Sequence, residues 1–240
     1  MRIYHLLILV GLFVLCGSKE PEPMPQAKNS VPDTAQTASL GSITPLPTLI
    51  QACKDGNDSI VKVIIANGTD INAVDDVGRT ALMAACESGC IGCVNALLKA
   101  GASVNLTDQI GQTAMMSAAE KGQDQIVRVL AKAGAKISPK QTGGPLSGWN
   151  ALMLAVFGGH NSTAKLLVSL GAKANSKDDV GQTVLMLAAQ TGNVELVKFL
   201  ISAGADINAV GQGDITAIGF AWYKGFDNVA EILKDAGAEE

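Results

Sequence analysis

The sequence predicts an all-α solenoid of six helix-turn-helix units joined by short hairpin loops. Residues 178–209 contain two short segments with apolar residues at helical spacing, 184–190 and 194–202, and a glycine that suits a helix end follows each of them. A unit of about thirty residues cannot bury its own apolar face, so it needs copies of itself on either side. The fold class therefore depends on whether such copies recur along the chain.

The copies recur with a period of 33 residues and one insertion. The block TALMAACESG returns as TAMMSAAEKG, NALMLAVFGG and TVLMLAAQTG, and the units end in AGASVN, LGAKAN or AGADIN. The step between the third and fourth units is 37 residues, so four residues are inserted there. One glycine of each unit keeps this spacing: Gly56, Gly89, Gly122, Gly159, Gly192 and Gly225.

These motifs resemble the unit of the ankyrin-repeat family, which runs D-x-x-G-x-T-P-L-H-x-A-A-x-x-G and later L-L-x-x-G-A-D-x-N. The histidine of the family is replaced here by methionine, so we expect the stacks to depend more on packing than on hydrogen bonds. The replacing residues are Met83, Met116, Met153 and Met186. The resemblance covers residues 45–238, with repeats at about 45–74, 75–107, 108–138, 139–177, 178–210 and 211–238.

Composition and motifs favour a binding protein over an enzyme. The 18 lysines and arginines are scattered among 22 aspartates and glutamates, whereas nucleic-acid binders usually cluster their basic residues on one face. No nucleotide-binding glycine loop or serine-nucleophile motif occurs, so we expect no cofactor and no small-molecule substrate. His5 lies in the N-terminal apolar stretch, and His160 occupies a position where the family commonly has a structural histidine. We therefore expect no metal site and no catalytic residue.

The N-terminal 18 residues are typical of a signal peptide. One charge, Arg2, precedes an apolar run that is shorter than the roughly 20 residues of a membrane span. Cys16 closes this run, a layout that resembles a bacterial lipoprotein signal, in which the cysteine is acylated and becomes the mature N-terminus. Leu15 departs from that pattern, which usually has a small residue there. Cleavage after Ser18 by an ordinary signal peptidase is the alternative.

Residues 19–44 predict a disordered linker. This stretch has four prolines among serine, threonine, glutamine, alanine and glutamate, and it has little apolar surface to bury. Behind a lipidated Cys16, such a linker would hold a folded domain away from a membrane. We therefore expect an exported protein, either periplasmic or anchored in the membrane by lipid, with secretion as the alternative.

The cysteines of the first two repeats leave several interpretations open. Cys53 and Cys86 are equivalent positions of stacked helices, whose backbones lie about 8–10 Å apart, beyond the reach of a disulfide. Cys86 and Cys93 align with small or apolar residues and are interpreted as core positions. Cys90 lies in a loop, where a disulfide with Cys93, a disulfide with Cys86 and a thiol-based redox role all stay open.

The family resemblance implies that hairpin tips and inner helices form a concave partner-binding surface. Apolar residues at exposed tips have no folding reason to be there, and Val77, Ile110, Trp149, Val180 and Ile215 are expected to form such a row. The complete predicted set is Val77, Arg79, Ile110, Gln112, Glu120, Trp149, Phe157, Val180, Gln182, Ile215 and Tyr223.

Trp149 and Phe157 are the predicted hot spot of this surface, because buried aromatic anchors dominate many interfaces. The loop at residues 140–146 would form one wall beside them. Alternatively, Trp149 folds over the third repeat and covers a gap that the insertion leaves.

The predicted function is non-catalytic protein–protein interaction in a bacterial cell envelope. A secreted effector that binds host proteins is the first alternative, and a thiol-based redox protein is the second. The identity of the partner does not follow from the residues.

Overall fold

The structure, a computed structural model, describes residues 48–239, and twelve α-helices lie in that range without a β-strand. The odd-numbered helices are α1 Leu49–Lys54, α3 Ala81–Ser88, α5 Ala114–Glu120, α7 Ala151–Phe157, α9 Val184–Gln190 and α11 Ala217–Lys224. The even-numbered helices are α2 Asp58–Ala66, α4 Ile91–Lys99, α6 Asp124–Lys132, α8 Asn161–Ser169, α10 Val194–Ser202 and α12 Asp227–Asp235. Helices α9 and α10 confirm the predicted segments 184–190 and 194–202.

The helices form two layers. Each odd-numbered helix packs against the next odd-numbered helix along the chain, and the even-numbered helices stack in the same order. The odd-numbered helices are called inner helices below, and the even-numbered ones outer helices. Residues 184–189 of α9 are all buried, whereas α10 buries one face through Leu196, Val197 and Leu200. This stack confirms the predicted all-α solenoid.

Each inner helix of the second to sixth repeats begins at a polar cap. The Thr183 hydroxyl accepts a hydrogen bond from the backbone N–H of Met186, which satisfies one of the donors left free at a helix N-terminus. Thr80, Thr113, Asn150 and Thr216 do the same. The four methionines that replace the family's histidine are fully buried at the third helical position, as expected for stacks that rely on packing.

Side chains also connect the backbones of successive repeats. Asn105 accepts a hydrogen bond from the Lys136 N–H at 2.8 Å and donates one to the Gly134 carbonyl oxygen at 3.1 Å. Asn175 and Asn208 make the equivalent pairs one repeat apart. The Nε2 atom of His160 lies 2.8 Å from the Glu120 carbonyl oxygen, which agrees with its predicted structural role.

The four-residue insertion widens the hairpin between the third and fourth repeats. Gln141 donates a backbone hydrogen bond to the Trp149 carbonyl and accepts one from Gly148, both at 2.8 Å. Thr142 donates to the Ile110 carbonyl at 2.9 Å. The bond to Ile110 joins the longer hairpin to the third repeat. Leu146 also packs against the core.

The predicted signal peptide with Cys16 and the linker at residues 19–44 lie outside the described residues. Within residues 48–239, no helix combines the length and the apolar character needed to cross a bilayer.

Candidate functional site

One aspartate builds the hairpin tip in each of three repeats. The Asp108 carboxylate accepts hydrogen bonds from the N–H groups of Ile110 at 3.0 Å and Gln112 at 2.8 Å. Between them Gly111 adopts a φ of +79°, a conformation that costs glycine little. Asp75 and Asp178 bind their own tips in the same way. The motif D-x-x-G-x-T therefore determines the shape of the tip.

The carboxyl group of Asp75 also has a lowered pKa. Burial acts to raise the pKa of this carboxyl group, but hydrogen bonds from Arg79 and from the Val77 N–H, together with the Arg79 charge, hold the pKa below its usual value. Lys54 of the first repeat lies 3.6 Å from the same carboxylate. At the tip of the second repeat, Asp75 is therefore stabilised in its ionised form next to two cations.

Three apolar side chains are exposed at equivalent places on these tips. Val77 is 46 % exposed, Ile110 is 36 % exposed and Val180 is 49 % exposed. We call Val77, Ile110 and Val180 the tip row. Backbone hydrogen bonds link successive tips, from Gln109 to the Val77 carbonyl at 3.2 Å and from Gln212 to the Val180 carbonyl at 3.0 Å. The exposure expected for these three tip residues is observed, and their role in binding a partner stays a prediction.

Trp149 and Ile215 were wrongly placed in the tip row. Each directly precedes the residue that caps its inner helix, so they occupy the position of Arg79, Gln112 and Gln182. Ser147 and Gly213 hold the tip position in their repeats. The glycine at residue 148 could have revealed this register, because G-W-N aligns with G-R-T and G-Q-T; the insertion lies before it.

In three repeats the residue before the cap of the inner helix pairs with a side chain eight residues further on, at or near the other end of that helix. In the second repeat the Arg79 guanidinium lies 3.7 Å from the Glu87 carboxylate. In the third, the Gln112 amide donates to Glu120 at 3.4 Å. In the fifth, Gln182 donates to Gln190 at 3.1 Å. The fourth repeat contributes Trp149 with Phe157, and the sixth has Ile215 and Tyr223 at these positions. We call these ten residues the inner column.

The fourth repeat gives the inner column an aromatic centre. The rings of Trp149 and Phe157 meet edge to face with centroids 5.2 Å apart. Trp149 is only 6 % exposed, and its indole N–H donates to Asp178 of the fifth repeat at 3.2 Å. Phe157 is 42 % exposed. The polar contact of Trp149 is thus with the fifth repeat, not with the third as the alternative expected, and Phe157 presents the accessible ring.

The structure decides which disulfide Cys90 forms. Cys90 and Cys93 form a disulfide, with Cα atoms 5.3 Å apart. Cys53 and Cys86 are buried and free, which confirms that this pair does not bridge. Burial raises the pKa of the Cys53 thiol to about 12 and that of the Cys86 thiol further still. Neither buried thiol is available as a nucleophile at neutral pH.

The described surface is suited to binding. Within residues 48–239 no group of three or more histidine, cysteine, aspartate or glutamate side chains could hold a metal ion. The tip row and the inner column together run from an ion pair in the second repeat to an exposed Tyr223 in the sixth. This surface therefore offers apolar side chains at the tips and in the fourth repeat, with polar pairs on either side of them.

Comparisons with known proteins agree with the repeat pattern. A family model described as ankyrin repeats (3 copies) matches residues 49–141 and 137–211. The structure is similar to the crystal structure of the human ASB11 ankyrin repeat domain, with a TM-score of 0.73 and 28 % sequence identity. That match covers 80 % of this chain and 85 % of the other. No curated protein matches the sequence.

Proposed function

The chain belongs to the ankyrin-repeat family, and from this premise we propose that it binds a protein partner on the tip row and the inner column without catalysing a reaction. Ankyrin repeats indicate a protein–protein interaction module. The finer proposal is that the partner is a protein of the bacterial cell envelope, and that the chain is exported.

The exposed ring of Phe157 is the main observation in favour of this surface as the binding site. Its neighbour Trp149 is buried and hydrogen-bonded to Asp178, so it can hold the ring in one place while part of the ring stays accessible. The tip row adds exposed apolar side chains at the hairpin tips of the second, third and fifth repeats. An aromatic residue near the middle of a patch is a common hot spot, since its burial removes a large apolar area from water.

The backbone of the surface is already ordered. Aspartate side chains close the tips, and backbone hydrogen bonds join one tip to the next. A preformed surface loses little conformational entropy when a partner docks. The proposed mechanism is therefore complementarity of a rigid face, with affinity concentrated around Phe157.

Site-specific crosslinking tests the surface. We expect photo-reactive residues at Ile110 and Val180 to crosslink one partner protein in the native envelope. The same probe at Arg128 and Lys198, exposed residues of the outer helices, is expected to give no such adduct. Phe157→Ala should abolish the adduct, because hot-spot truncations cost about 2 kcal/mol or more. Adducts from the outer helices alone would contradict the proposed surface.

The matched control for Phe157 is Gln190→Ala, the equivalent residue of the fifth repeat. It removes a polar member of the inner column and leaves the aromatic pair intact. We expect its adduct yield to stay close to that of the wild type. An equal loss in both variants would mean that the contact is spread along the inner column and not centred on Phe157.

Export is proposed from the first 44 residues. Cys16 closes a short apolar run behind Arg2, and the following linker separates it from the repeats. We propose that Cys16 is acylated and becomes the mature N-terminus. Mass spectrometry of the mature chain should find a diacylglyceryl-modified Cys16. A soluble chain cleaved after Ser18 would instead favour the secreted alternative.

A further inference from the structure

We propose that Cys90 and Cys93 form a redox-active pair that exchanges with thiols and disulfides outside the chain, with Asp58 accepting the proton of Cys93. The pair lies at the start of α4, after the C-terminal end of α3. Arg79 lies before the N-terminal end of α3. This site is therefore separate from the proposed protein-binding surface, and it adds a chemical activity to it.

The two sulfur atoms differ in access. Cys90 caps α4 and is partly exposed, whereas Cys93 lies one turn further on and is fully buried. We therefore expect an incoming thiolate to attack the sulfur of Cys90 and not that of Cys93. The backbone N–H of Cys93 donates to the Cys90 sulfur at 3.2 Å. That N–H and the positive end of the helix dipole favour a thiolate on Cys90 after reduction.

Asp58 of the preceding repeat supplies a carboxylate beside this pair. Its Oδ2 atom binds Lys62 at 2.6 Å, but its Oδ1 atom is buried and has no hydrogen-bond partner. A buried acceptor without a partner is costly. A Cβ atom on Gly92, between the two cysteines, would lie 3.0 Å from Asp58 Oδ1. The glycine therefore allows the carboxylate to approach the start of α4.

The third and fourth repeats contain an equivalent aspartate that does have a hydrogen-bond donor. There the Thr163 hydroxyl donates to Asp124 Oδ1. Asp124 is the first residue of α6, as Asp58 is of α2, and Thr163 is the third residue of α8, as Cys93 is of α4. A reduced Cys93 would thus stand where Thr163 stands, with a proton to donate. In the disulfide that proton is missing, which explains the unpartnered oxygen of Asp58.

The exchange balances in both directions. Oxidation starts from the reduced pair. The Cys90 thiolate attacks an external disulfide, forms a mixed disulfide and releases the first thiolate. Cys93 then gives its proton to Asp58 and attacks the Cys90 sulfur, which expels the second thiolate. The Cys90–Cys93 bond has formed, the external disulfide has gained two electrons and left as two thiolates, and Asp58 returns its proton to the solvent, from which the thiolates are protonated. Reduction by an external dithiol reverses these steps.

The first test is whether the folded chain exchanges. The purified chain is reduced with dithiothreitol at pH 7, freed of reductant and mixed with oxidised glutathione. Samples are quenched with acid, alkylated and measured by mass spectrometry of the peptide with Cys90 and Cys93. We expect glutathione on Cys90 alone, followed by closure of the disulfide. Cys53 and Cys86 should stay unmodified, because they are buried. Reduction only under denaturing conditions, or glutathione on Cys93, would overturn the proposal.

The second test isolates Asp58. We expect Asp58→Asn to slow disulfide closure at pH 7 by at least about tenfold, since a positioned base contributes roughly 10² or more. The defect should shrink as the pH rises, because hydroxide then removes the thiol proton. The matched control is Asp124→Asn, the same helix position with Thr163 as partner; it should close at the wild-type rate. Equal rates in the two variants would overturn the role of Asp58.

A third variant keeps the test informative if Asp58→Asn perturbs the fold. Cys93→Ser removes the resolving sulfur and leaves the polar volume in place. We expect it to accumulate the mixed disulfide between Cys90 and glutathione. A variant that shows no mixed disulfide would mean that Cys90 does not react in the folded chain, which contradicts the proposal.

Discussion

Replacing Trp149 with alanine is expected to lower the free energy of unfolding by about 3–5 kcal/mol, the range for truncating a large buried aromatic residue. The side chain is 6 % exposed and contacts the Phe157 ring edge to face. Its loss also leaves Asp178 without the indole donor. Because each repeat contacts only its neighbours, the destabilisation should centre on the fourth and fifth repeats.

Urea unfolding followed by circular dichroism measures this loss. The matched control is Gln182→Ala, which changes the same position in the fifth repeat, where the side chain is half-buried and bonded to Gln190. We expect that variant to lose about 1 kcal/mol or less. If Trp149→Ala unfolded like Gln182→Ala and lost partner binding, Trp149 would be an exposed anchor after all, and its buried packing would be wrong.

Replacing Gly148 with alanine is expected to cost about 2–5 kcal/mol. Gly148 adopts a φ of +84°, where a side chain costs about 1–2 kcal/mol. Its new Cβ would also meet the next repeat, 2.7 Å from the Asp179 side chain and closer still to the Asp179 backbone nitrogen. A backbone atom cannot move aside by changing rotamer, so overpacking adds a further 1–3 kcal/mol or so.

Gly134→Ala provides the matched control for Gly148→Ala. Gly134 has the same φ of +84°, but nothing lies within 4 Å of its Cβ position. It should therefore lose only about 1–2 kcal/mol. The difference between the two midpoints of urea unfolding measures the cost of the close approach between the fourth and fifth repeats. Equal losses would show that the fourth hairpin moves freely away from Asp179.

Most of the fold was predictable because the contacts that build one repeat are local. The helices Val184–Gln190 and Val194–Ser202 follow from apolar spacing and from the glycine after each, and the same signals recur every 33 residues. Stacking is required by helical hairpins that cannot bury their own apolar faces. The structural role of His160 followed from its place in the repeat.

The candidate surface was only partly predictable. The exposure of Val77, Ile110 and Val180 follows from the tip motif, which fixes where the side chains point. Trp149 was misplaced because the insertion shifts the count before Gly148, while its actual position is defined by Gly148 directly before it and by the Asn150 cap directly after it. The pairs eight residues apart, such as Arg79 with Glu87, involve side chains at the two ends of one inner helix.

The sequence by itself determined the repeat, its period, the insertion and the glycines at helix ends, because each can be read from the order of residues along the chain. Tertiary structure decided that Trp149 is buried against Phe157, that Cys90 pairs with Cys93, and that Asp58 faces α4 with one oxygen unpaired. These outcomes depend on distances between side chains of different turns and different repeats, which a one-dimensional pattern does not contain.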